Sequence, residues 1–405
     1  MHPILENIAN AIRVKVEQDL KNETIENLGL LDGACGILLF LHRYSKHTSN
    51  SIFSQLHDDY LNLCLEHLSQ GFFYPAFCSG LSGVLYLLQH EYKDIVDITS
   101  VEDTYDNYLS SCLMKYLAED NWDPLHGALG IAYYSLSRNN MSNLHQSLVQ
   151  FFDKHSKVEK DGGRKIESII NPENGQRGFN ISLSHGMSSI IVYLSLLYSK
   201  YKQGKVRLLL SEFICYILNQ KIDFDTYGSC FPSKSKDEPI NKSRLAWCYG
   251  DLGVAYSLYI AAISLNDNIL FQNAISVLVN SCKRKSLKEN YIYDACICHG
   301  TSGISLIYNF LYQSYPLPEF HEASVYWTEQ TLKMNDFSNL GIGYKSYNPI
   351  TEKYYDEYNL LEGISGIGLS IMSSLYNEQW SDILFLKHTE PNMLIEFQIK
   401  DNCNK

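Results

Sequence analysis

Thiol and imidazole side chains recur at one fixed place in the sequence. The stretch RLAWCYGDLG has Cys248 two residues before a Gly-x-x-Gly pair, and ACICHGTSG has Cys298 at the same distance with His299 directly after it. Thiolate and imidazole are donors that zinc prefers, and three protein ligands leave a fourth position open, as in catalytic zinc sites. The spacing therefore predicts that Cys248, Cys298 and His299 bind a zinc ion with an open position.

Other polar residues have nearly the same position relative to a Gly-x-x-Gly pair. His185 lies one residue before such a glycine, and it is either a fourth metal ligand or free to move protons near pH 7. Arg244 precedes Cys248 by about one helical turn, Tyr249 follows it directly, and Asp123 lies four residues before another glycine. We predict that these side chains surround the zinc site.

A pair of buried thiols without metal is the alternative interpretation of Cys248 and Cys298. It does not explain why His299 follows one of them in the same phase. Cys78 has the same phase but no histidine beside it, so we predict a core residue there. Cys296 lies two residues before Cys298, and we predict that its side chain points in a different direction.

The glycine pairs form an internal repeat along the whole chain. Seven copies, each followed by an apolar run, are spaced 47, 47, 59, 64, 50 and 63 residues apart. A period near fifty has room for two helices of average length. We predict that each glycine pair begins an apolar inner helix, preceded by an amphipathic outer helix. The copies begin at Gly33, Gly80, Gly127, Gly186, Gly250, Gly300 and Gly363, and Ser189 replaces the second glycine of the fourth copy.

One such unit cannot bury its own apolar helix, so the units must stack on each other. Because the inner helices are apolar almost all round, the pattern favours a closed ring. We predict an all-α fold, an α/α toroid of seven helical hairpins that forms a single domain over residues 1–405. An open helical solenoid that binds other proteins is the alternative. Residues 155–182 are rich in glycine, asparagine and charge, and we expect a loop or a small β insert there.

Composition excludes several classes of function. The net charge of −12 argues against a surface that binds nucleic acid, and the basic run at 283–285 is short and is predicted to be a solvated helix end or loop. No apolar run approaches the ~20 residues that span a bilayer. The N-terminal stretch lacks the pattern of a signal peptide, and the eleven cysteines form no framework. Reduced thiols and a cytoplasmic location are therefore expected.

The seven Gly-x-x-Gly helix starts, the R-x-x-W-C-Y-G motif and the C-H-G motif closely resemble the lanthionine synthetase C-like family. Within it, the chain is most similar to the stand-alone lanthipeptide cyclases of bacterial class I pathways. The resemblance implies an α/α toroid with one zinc ion held by two cysteines and a histidine, and a reduced SH2-like insert in mid-chain. The residues that match the zinc ligands are Cys248, Cys298 and His299, and those that match the family's catalytic motifs are His185, Asp123, Arg244 and Tyr249.

The resemblance also implies the reaction. A cysteine thiol of a peptide binds the zinc ion as a thiolate and adds to dehydroalanine or dehydrobutyrine in the same peptide, which gives lanthionine or methyllanthionine. His185 is the candidate acid that protonates the enolate or the base that accepts the thiol proton. Arg244 or Tyr249 stabilises the oxyanion, and Asp123 orients His185 or Arg244.

The partners that the resemblance implies are a dehydrated precursor peptide with its leader, a lanthipeptide dehydratase and an ABC exporter. Such partners would hold the chain at the inner face of the membrane. A relative that adds glutathione to dehydrated proteins and a non-catalytic zinc-containing toroid that binds peptides remain as alternatives. A protein prenyltransferase would need a basic pocket and an aspartate ligand, and a toroidal glycosidase would need paired carboxylates at the helix starts.

Overall fold

The computed structural model describes residues 2–48, 50–71, 74–138, 141–171, 174–337 and 341–387. Within these ranges the chain is mostly helical. The helices are α1 (Pro3–Asn22), α2 (Ala34–His47), α3 (Ser51–Ser69), α4 (Leu81–Glu91), α5 (Thr99–Ala118), α6 (Ala128–Ser135), α7 (Ser142–His155), α8 (Met187–Tyr201), α9 (Gly204–Asn219), α10 (Phe224–Tyr227), α11 (Asp251–Leu265), α12 (Asn268–Ser281), α13 (Thr301–Ser314), α14 (Pro318–Lys333) and α15 (Ile364–Tyr376).

Seven of these helices begin directly after the first glycine of a repeat, as predicted. They are α2, α4, α6, α8, α11, α13 and α15. Each is preceded by an outer helix, so the described chain contains the seven helical pairs that the repeat predicts. The difference in burial is clear in the fifth pair, where α11 is buried along nearly its whole length whereas α9 buries one face. This is the contrast expected of an inner and an outer helix.

The chain divides into two compact units. The first comprises Met1–Leu109, Tyr293–Leu306 and Ser324–Ile383, and the second comprises Ser110–Ile292, Ile307–Ala323 and Leu384–Lys405. In each unit the inner helices pack on one another, α2 on α15 in the first and α8 on α11 in the second.

In the first unit, backbone hydrogen bonds join the loops that lead into consecutive inner helices. The N–H of Cys298 donates to the carbonyl of Leu361 (2.9 Å), that of Leu361 to Leu31 (2.8 Å), and that of Leu31 to Cys78 (3.0 Å). These loops precede the sixth, seventh, first and second inner helices. The last repeat of the chain therefore lies beside the first.

The second glycine of a repeat allows a neighbouring repeat to approach closely. A Cβ atom on Gly36 would lie 2.6 Å from Cβ of Leu360, and one on Gly253 would lie 2.8 Å from Cβ of Leu183. Both distances are shorter than a carbon–carbon contact permits, so glycine is required there.

The fourth repeat has Ser189 at the position of the second glycine. Its side chain is buried, and its hydroxyl donates to the carbonyl of Gly186 at 2.7 Å. The carbonyl of Gly186 also accepts the backbone N–H of Ser189 at 3.1 Å, and the helix still begins directly after Gly186.

The described residues also form three antiparallel pairs of short strands. The pairs β1 (Lys157–Val158) with β2 (Arg164–Lys165) and β3 (Glu167–Asn171) with β4 (Gln176–Phe179) lie within 155–182, where the sequence predicts a small insert. A third pair, β5 (Ser346–Asn348) with β6 (Lys353–Tyr355), was not expected from the sequence. Strands of three residues are too short to show an alternating pattern. Among the described residues, no helix is both long and apolar enough to cross a membrane.

Candidate active site

A cavity of about 500 Å³ in the second unit brings together three of the predicted catalytic residues. Asp123 comes from the loop before α6, His185 from the loop before α8 and Tyr249 from the loop before α11. The three inner-helix starts therefore deliver these side chains to one place, as the phase of the repeat predicts. The other lining residues are Asp120, Asn121, Trp122, His126, Ser168, Ile169 and Ile170.

His185 and Asp123 form an ion pair in this cavity. The distance between Nδ1 of His185 and Oδ2 of Asp123 is 2.7 Å, and the other carboxylate oxygen accepts the backbone N–H groups of Leu125 and His126, both at 2.8 Å. Because an ionised carboxylate only accepts hydrogen bonds, Nδ1 of His185 is the donor. Its other ring nitrogen, Nε2, has no hydrogen-bond partner among the described residues.

This pair shifts both pKa values toward the charged forms. Burial alone would lower the pKa of His185, but the charge and hydrogen bond of Asp123 and the nearby thiol of Cys248 outweigh burial and raise it. Burial would likewise raise the pKa of Asp123, but His185 and the N–H donors lower it. His185 is therefore equipped to carry a proton at neutral pH.

Tyr249 provides a neutral donor at the same cavity. Burial raises the pKa of its phenol, so the hydroxyl keeps its proton at neutral pH. The Nδ2 of Asn180 donates to the hydroxyl oxygen at 3.1 Å, which leaves the O–H available to a substrate oxygen. The ring centroids of Tyr249 and His185 are 6.4 Å apart.

Cys248 is buried beside this cavity but does not line it. Its carbonyl accepts the backbone N–H groups of Leu183 at 3.1 Å and Ser184 at 3.3 Å. These bonds fix the loop that carries Cys248 against the loop that carries His185. The thiol also contributes to the raised pKa of the histidine.

Arg244 does not line the cavity. Its side chain is partly exposed and makes no hydrogen bond or ion pair with the residues described in the structure. Its backbone has a structural role, because a Cβ atom on Gly250 would lie 2.0 Å from the carbonyl oxygen of Arg244. Gly250 also has a φ of +98°, so only glycine fits this turn. The motif's Trp247 is fully buried and donates to the carbonyl of Leu384 at 2.9 Å.

A buried ion pair supports the same loop, and the sequence interpretation of residues 283–285 as a solvated segment was wrong at its central residue. Arg284 is buried, and its Nη1 lies 2.9 Å from Oδ2 of Asp251, the first residue of α11. Arg284 also donates to the carbonyl of Ser243, next to Arg244. In the sequence, the only indication of this ion pair was the acidic residue Asp251 in the first turn of α11, between the two glycines of the repeat.

Cys298 and His299 lie in the first unit, directly before α13. The backbone N–H of Cys298 donates to Leu361, as described above, and that of His299 donates to Sγ of Cys296 at 3.4 Å. Burial raises the pKa of the Cys296 thiol to about 11, so this sulfur is a neutral thiol at neutral pH. Backbone hydrogen bonds thus fix the positions of both Cys298 and His299.

Asp294 is a residue of the candidate metal site that was not expected from the sequence pattern. Its carboxylate is 1% exposed, accepts the N–H groups of Cys296 (3.1 Å) and Tyr347 (2.9 Å), and lies 3.6 Å from Nε2 of His299. Burial would raise the pKa of Asp294, but His299 and the N–H donors lower it. Metal-binding histidines commonly direct their second ring nitrogen at a carboxylate in this way.

The donor atoms in this part of the first unit are suited to a metal ion. Side-chain donors of Asp294, Cys296 and His299 lie within 4.8 Å of one another, so this cluster could hold a metal. Sulfur and imidazole donors are typical of zinc.

Known proteins resemble this chain in sequence and in fold. The family model for the lanthionine synthetase C-like protein matches residues 24–385. The nisin biosynthesis protein NisC of Lactococcus lactis subsp. lactis is 22% identical over 407 residues, which covers 92% of each chain. The solved structure of nisin cyclase has a TM-score of 0.76 at 19% identity and covers 94% of this chain and 98% of that one. This likeness confirms the predicted fold class, the α/α toroid.

Proposed function

Because this chain belongs to the lanthionine synthetase C-like family, we propose that it is a lanthipeptide cyclase. It adds cysteine thiols of a dehydrated peptide to dehydroalanine or dehydrobutyrine in the same peptide and so forms lanthionine and methyllanthionine rings. The observation that carries this proposal is the His185–Asp123 pair, which shares one cavity with Tyr249 and lies next to Cys248. A proton carrier, a neutral O–H donor and a thiol ligand are the groups that this reaction needs.

We propose that the cofactor is a zinc ion and that Cys248, Cys298 and His299 hold it. The three side chains share one phase of the repeat and supply the sulfur and nitrogen donors of zinc sites with an open position. When bound, zinc would lower the pKa of a peptide thiol so that a thiolate is available at neutral pH. Asp294 would fix the imidazole of His299 through Nε2, which leaves Nδ1 for the metal.

The chain's own residues then handle the proton and the developing charge. The reaction forms a carbon–sulfur bond at the β-carbon of the acceptor and places negative charge on the neighbouring carbonyl oxygen. The O–H of Tyr249 donates to that oxygen, with Arg244 as the second candidate donor. His185 transfers a proton through Nε2, and Asp123 orients and charges its ring. The α-carbon gains the proton that the thiol loses, so nothing is released.

The substrate and partners follow from the same proposal. The substrate is a dehydrated precursor peptide with a leader, and a lanthipeptide dehydratase produces it. An ABC exporter that removes the product would hold the cyclase at the cytoplasmic face of a membrane. The relative NisC is by its name a nisin biosynthesis protein, which supports a peptide substrate of this class.

Cyclisation by the purified protein tests the proposed function. We expect that zinc-loaded protein consumes the free thiol of a peptide with one cysteine and one dehydrobutyrine, with no change in peptide mass, and that a chelator stops the reaction. Thiol alkylation followed by mass spectrometry measures both quantities. A peptide without cysteine, mixed with glutathione, is the control for intermolecular addition. Stoichiometric zinc without any thiol consumption would instead favour a peptide-binding protein.

Replacement of Asp294 by asparagine is expected to weaken zinc binding by roughly 10- to 100-fold, because His299 loses the carboxylate that orients its ring. Competition with a chromophoric chelator measures this affinity. Asp32→Asn is the matched control, since Asp32 lies in the loop before α2 and accepts the hydroxyl of Ser79 at 2.6 Å without contacting His299. Equal zinc affinity in both variants would exclude this role for Asp294.

A further inference from the structure

Strand β3 forms one wall of the cavity that contains the candidate catalytic residues. Three consecutive residues, Ser168, Ile169 and Ile170, line it together with His185 and Tyr249. This wall belongs to the insert, and neither the motifs nor the repeat pattern gives it a role. Ile169 is 44% exposed, so an apolar surface is available inside the cavity.

An irregularity of the strand explains how neighbouring residues line the same cavity. In a regular strand, successive side chains point to opposite faces. Here Ile169 of β3 pairs with Arg177 of β4, and Asn171 pairs with Gln176, the neighbour of Arg177 in β4. Ile170, between Ile169 and Asn171, is therefore an extra residue without a partner. Such a β-bulge redirects side chains and is frequent next to active sites. The bulge therefore adds a second isoleucine to the cavity wall.

Ser168 carries a buried hydroxyl without a partner. The residue is 7% exposed, and its Oγ makes no hydrogen bond to any of the described residues. Buried polar groups are nearly always hydrogen-bonded, and an unsatisfied one costs about 1–3 kcal/mol. The residue lines the cavity although its Oγ is covered, so a peptide N–H or C=O group of a ligand there would satisfy the hydroxyl once the side chain turns toward it.

The wall is held firmly against the catalytic loop. The indole Nε1 of Trp122 and Nη2 of Arg177 both donate to the carbonyl of Glu167, at 2.9 and 3.0 Å. Arg177 also forms an ion pair with Asp120 at 2.9 Å. Because Trp122 and Asp120 belong to the loop that carries Asp123, the hairpin and the catalytic carboxylate are fixed relative to each other.

We propose that β3 is a substrate-binding subsite that takes an aliphatic residue next to the dehydroamino acid. This inference rests on the proposed function for the identity of the peptide. Ile169 and Ile170 contact the aliphatic side chain, and the hydroxyl of Ser168 hydrogen-bonds to the peptide backbone. An apolar lining with few polar groups is the usual character of such pockets. Peptides with a polar residue at this position bind more weakly.

Direct binding tests the subsite without relying on turnover. The probe is a fluorescein-labelled synthetic peptide with one cysteine and one dehydrobutyrine flanked by leucine, and a second probe has serine in place of leucine. We expect the double variant Ile169→Ala/Ile170→Ala to bind the leucine probe about tenfold more weakly and to lose the preference for leucine over serine. Ser168→Ala is expected to lower the binding affinity for both probes by roughly fivefold.

A matched control comes from the same insert. Val158 in β1 is 55% exposed and does not line the cavity, so Val158→Ala is expected to bind both probes like wild type. Thermal melting followed by circular dichroism verifies that each variant is folded. Unchanged affinity and unchanged leucine preference in the isoleucine variant would overturn the subsite, as would a wild type that binds neither probe. Selective binding without ring formation would retain the subsite and reject the proposed cyclase activity.

Discussion

Cys298→Ala protein is expected to contain far less than one zinc ion per chain and to lose ring formation. The substitution removes one of three protein ligands, so the loss of zinc affinity should exceed the roughly 100-fold that removal of a hydrogen-bonded partner of a ligand can cause. Without the metal, a free thiol with a pKa near 8.5 is only a few per cent ionised at pH 7. Metal analysis by mass spectrometry and the thiol-alkylation assay measure the two effects.

Cys296→Ala is the matched control for this experiment. Cys296 lies two residues away and is not one of the three proposed ligands, so its replacement should leave zinc near one ion per chain even though His299 loses the sulfur that accepts its backbone N–H. The backbone bond of Cys298 to Leu361 is retained when the side chain is shortened, so the Cys298 variant should fold. Zinc that is retained in Cys298→Ala but lost in Cys296→Ala would instead assign the metal to Asp294, Cys296 and His299.

His185→Asn is expected to slow ring formation by about 10²- to 10⁴-fold while zinc content stays at the wild-type level. The variant removes the proton carrier and leaves the proposed metal ligands intact. His126→Asn is the companion variant, because His126 lines the same cavity at the same position of the preceding repeat. Its ring stacks on that of His185 at 6.0 Å and its charge helps to lower the pKa of Asp123, but asparagine retains its backbone N–H bond to Asp123, so we expect a smaller loss of rate than in His185→Asn. Equal rates in the two variants would reject the assignment of His185.

The pH dependence separates the two roles that His185 can have. Asp123 raises the pKa of His185 in the folded protein, so the protonated form persists above its ordinary range. An acid catalyst then loses activity as the pH rises through this raised pKa, whereas a base catalyst gains activity there. Asp123→Asn would move that limb of the pH–rate profile to lower pH in either case. The stabilisation that His185 contributes is complete below its unfolded pKa of about 6.5 and is lost as the pH rises through the raised folded value. The stabilisation that Asp123 contributes is lost as the pH falls through its lowered folded pKa.

The helical framework could be predicted from the sequence because glycine spacing fixes where a helix begins. Every inner helix starts directly after the first glycine of its repeat, even in the fourth repeat, where Ser189 replaces the second glycine. The phase predicted that Asp123 and His185, 62 residues apart, lie at the same end of the inner helices, and the family resemblance implied that Asp123 orients His185 or Arg244; the side chains of Asp123 and His185 are 2.7 Å apart. The glycine spacing predicts where these residues lie because glycine permits the backbone conformation at each helix start, and that start determines where the preceding residues are placed.

Other features depend on contacts that local sequence does not encode. Arg284 lies in a run of basic residues, which normally indicates a solvated segment, yet it is buried against Asp251. The carboxylate of Asp294 is relevant to the candidate metal site only because the fold places it 3.6 Å from Nε2 of His299. The bulge at Ile170 lies in a strand of five residues, which is too short for its irregularity to be recognised in the sequence.

The backbone link between the last and first repeats has a consequence for biosynthesis. Leu361 and Leu31 are hydrogen-bonded, and α1 and α2 pack on α15, yet Leu361 is translated 330 residues after Leu31. At roughly 5–20 residues per second, this takes about 15 to 65 s. Throughout that time the first two helices lack the neighbour that covers them. The nascent chain must therefore carry an uncovered apolar surface through most of its translation, and chaperones that bind such surfaces have a long interval in which to act.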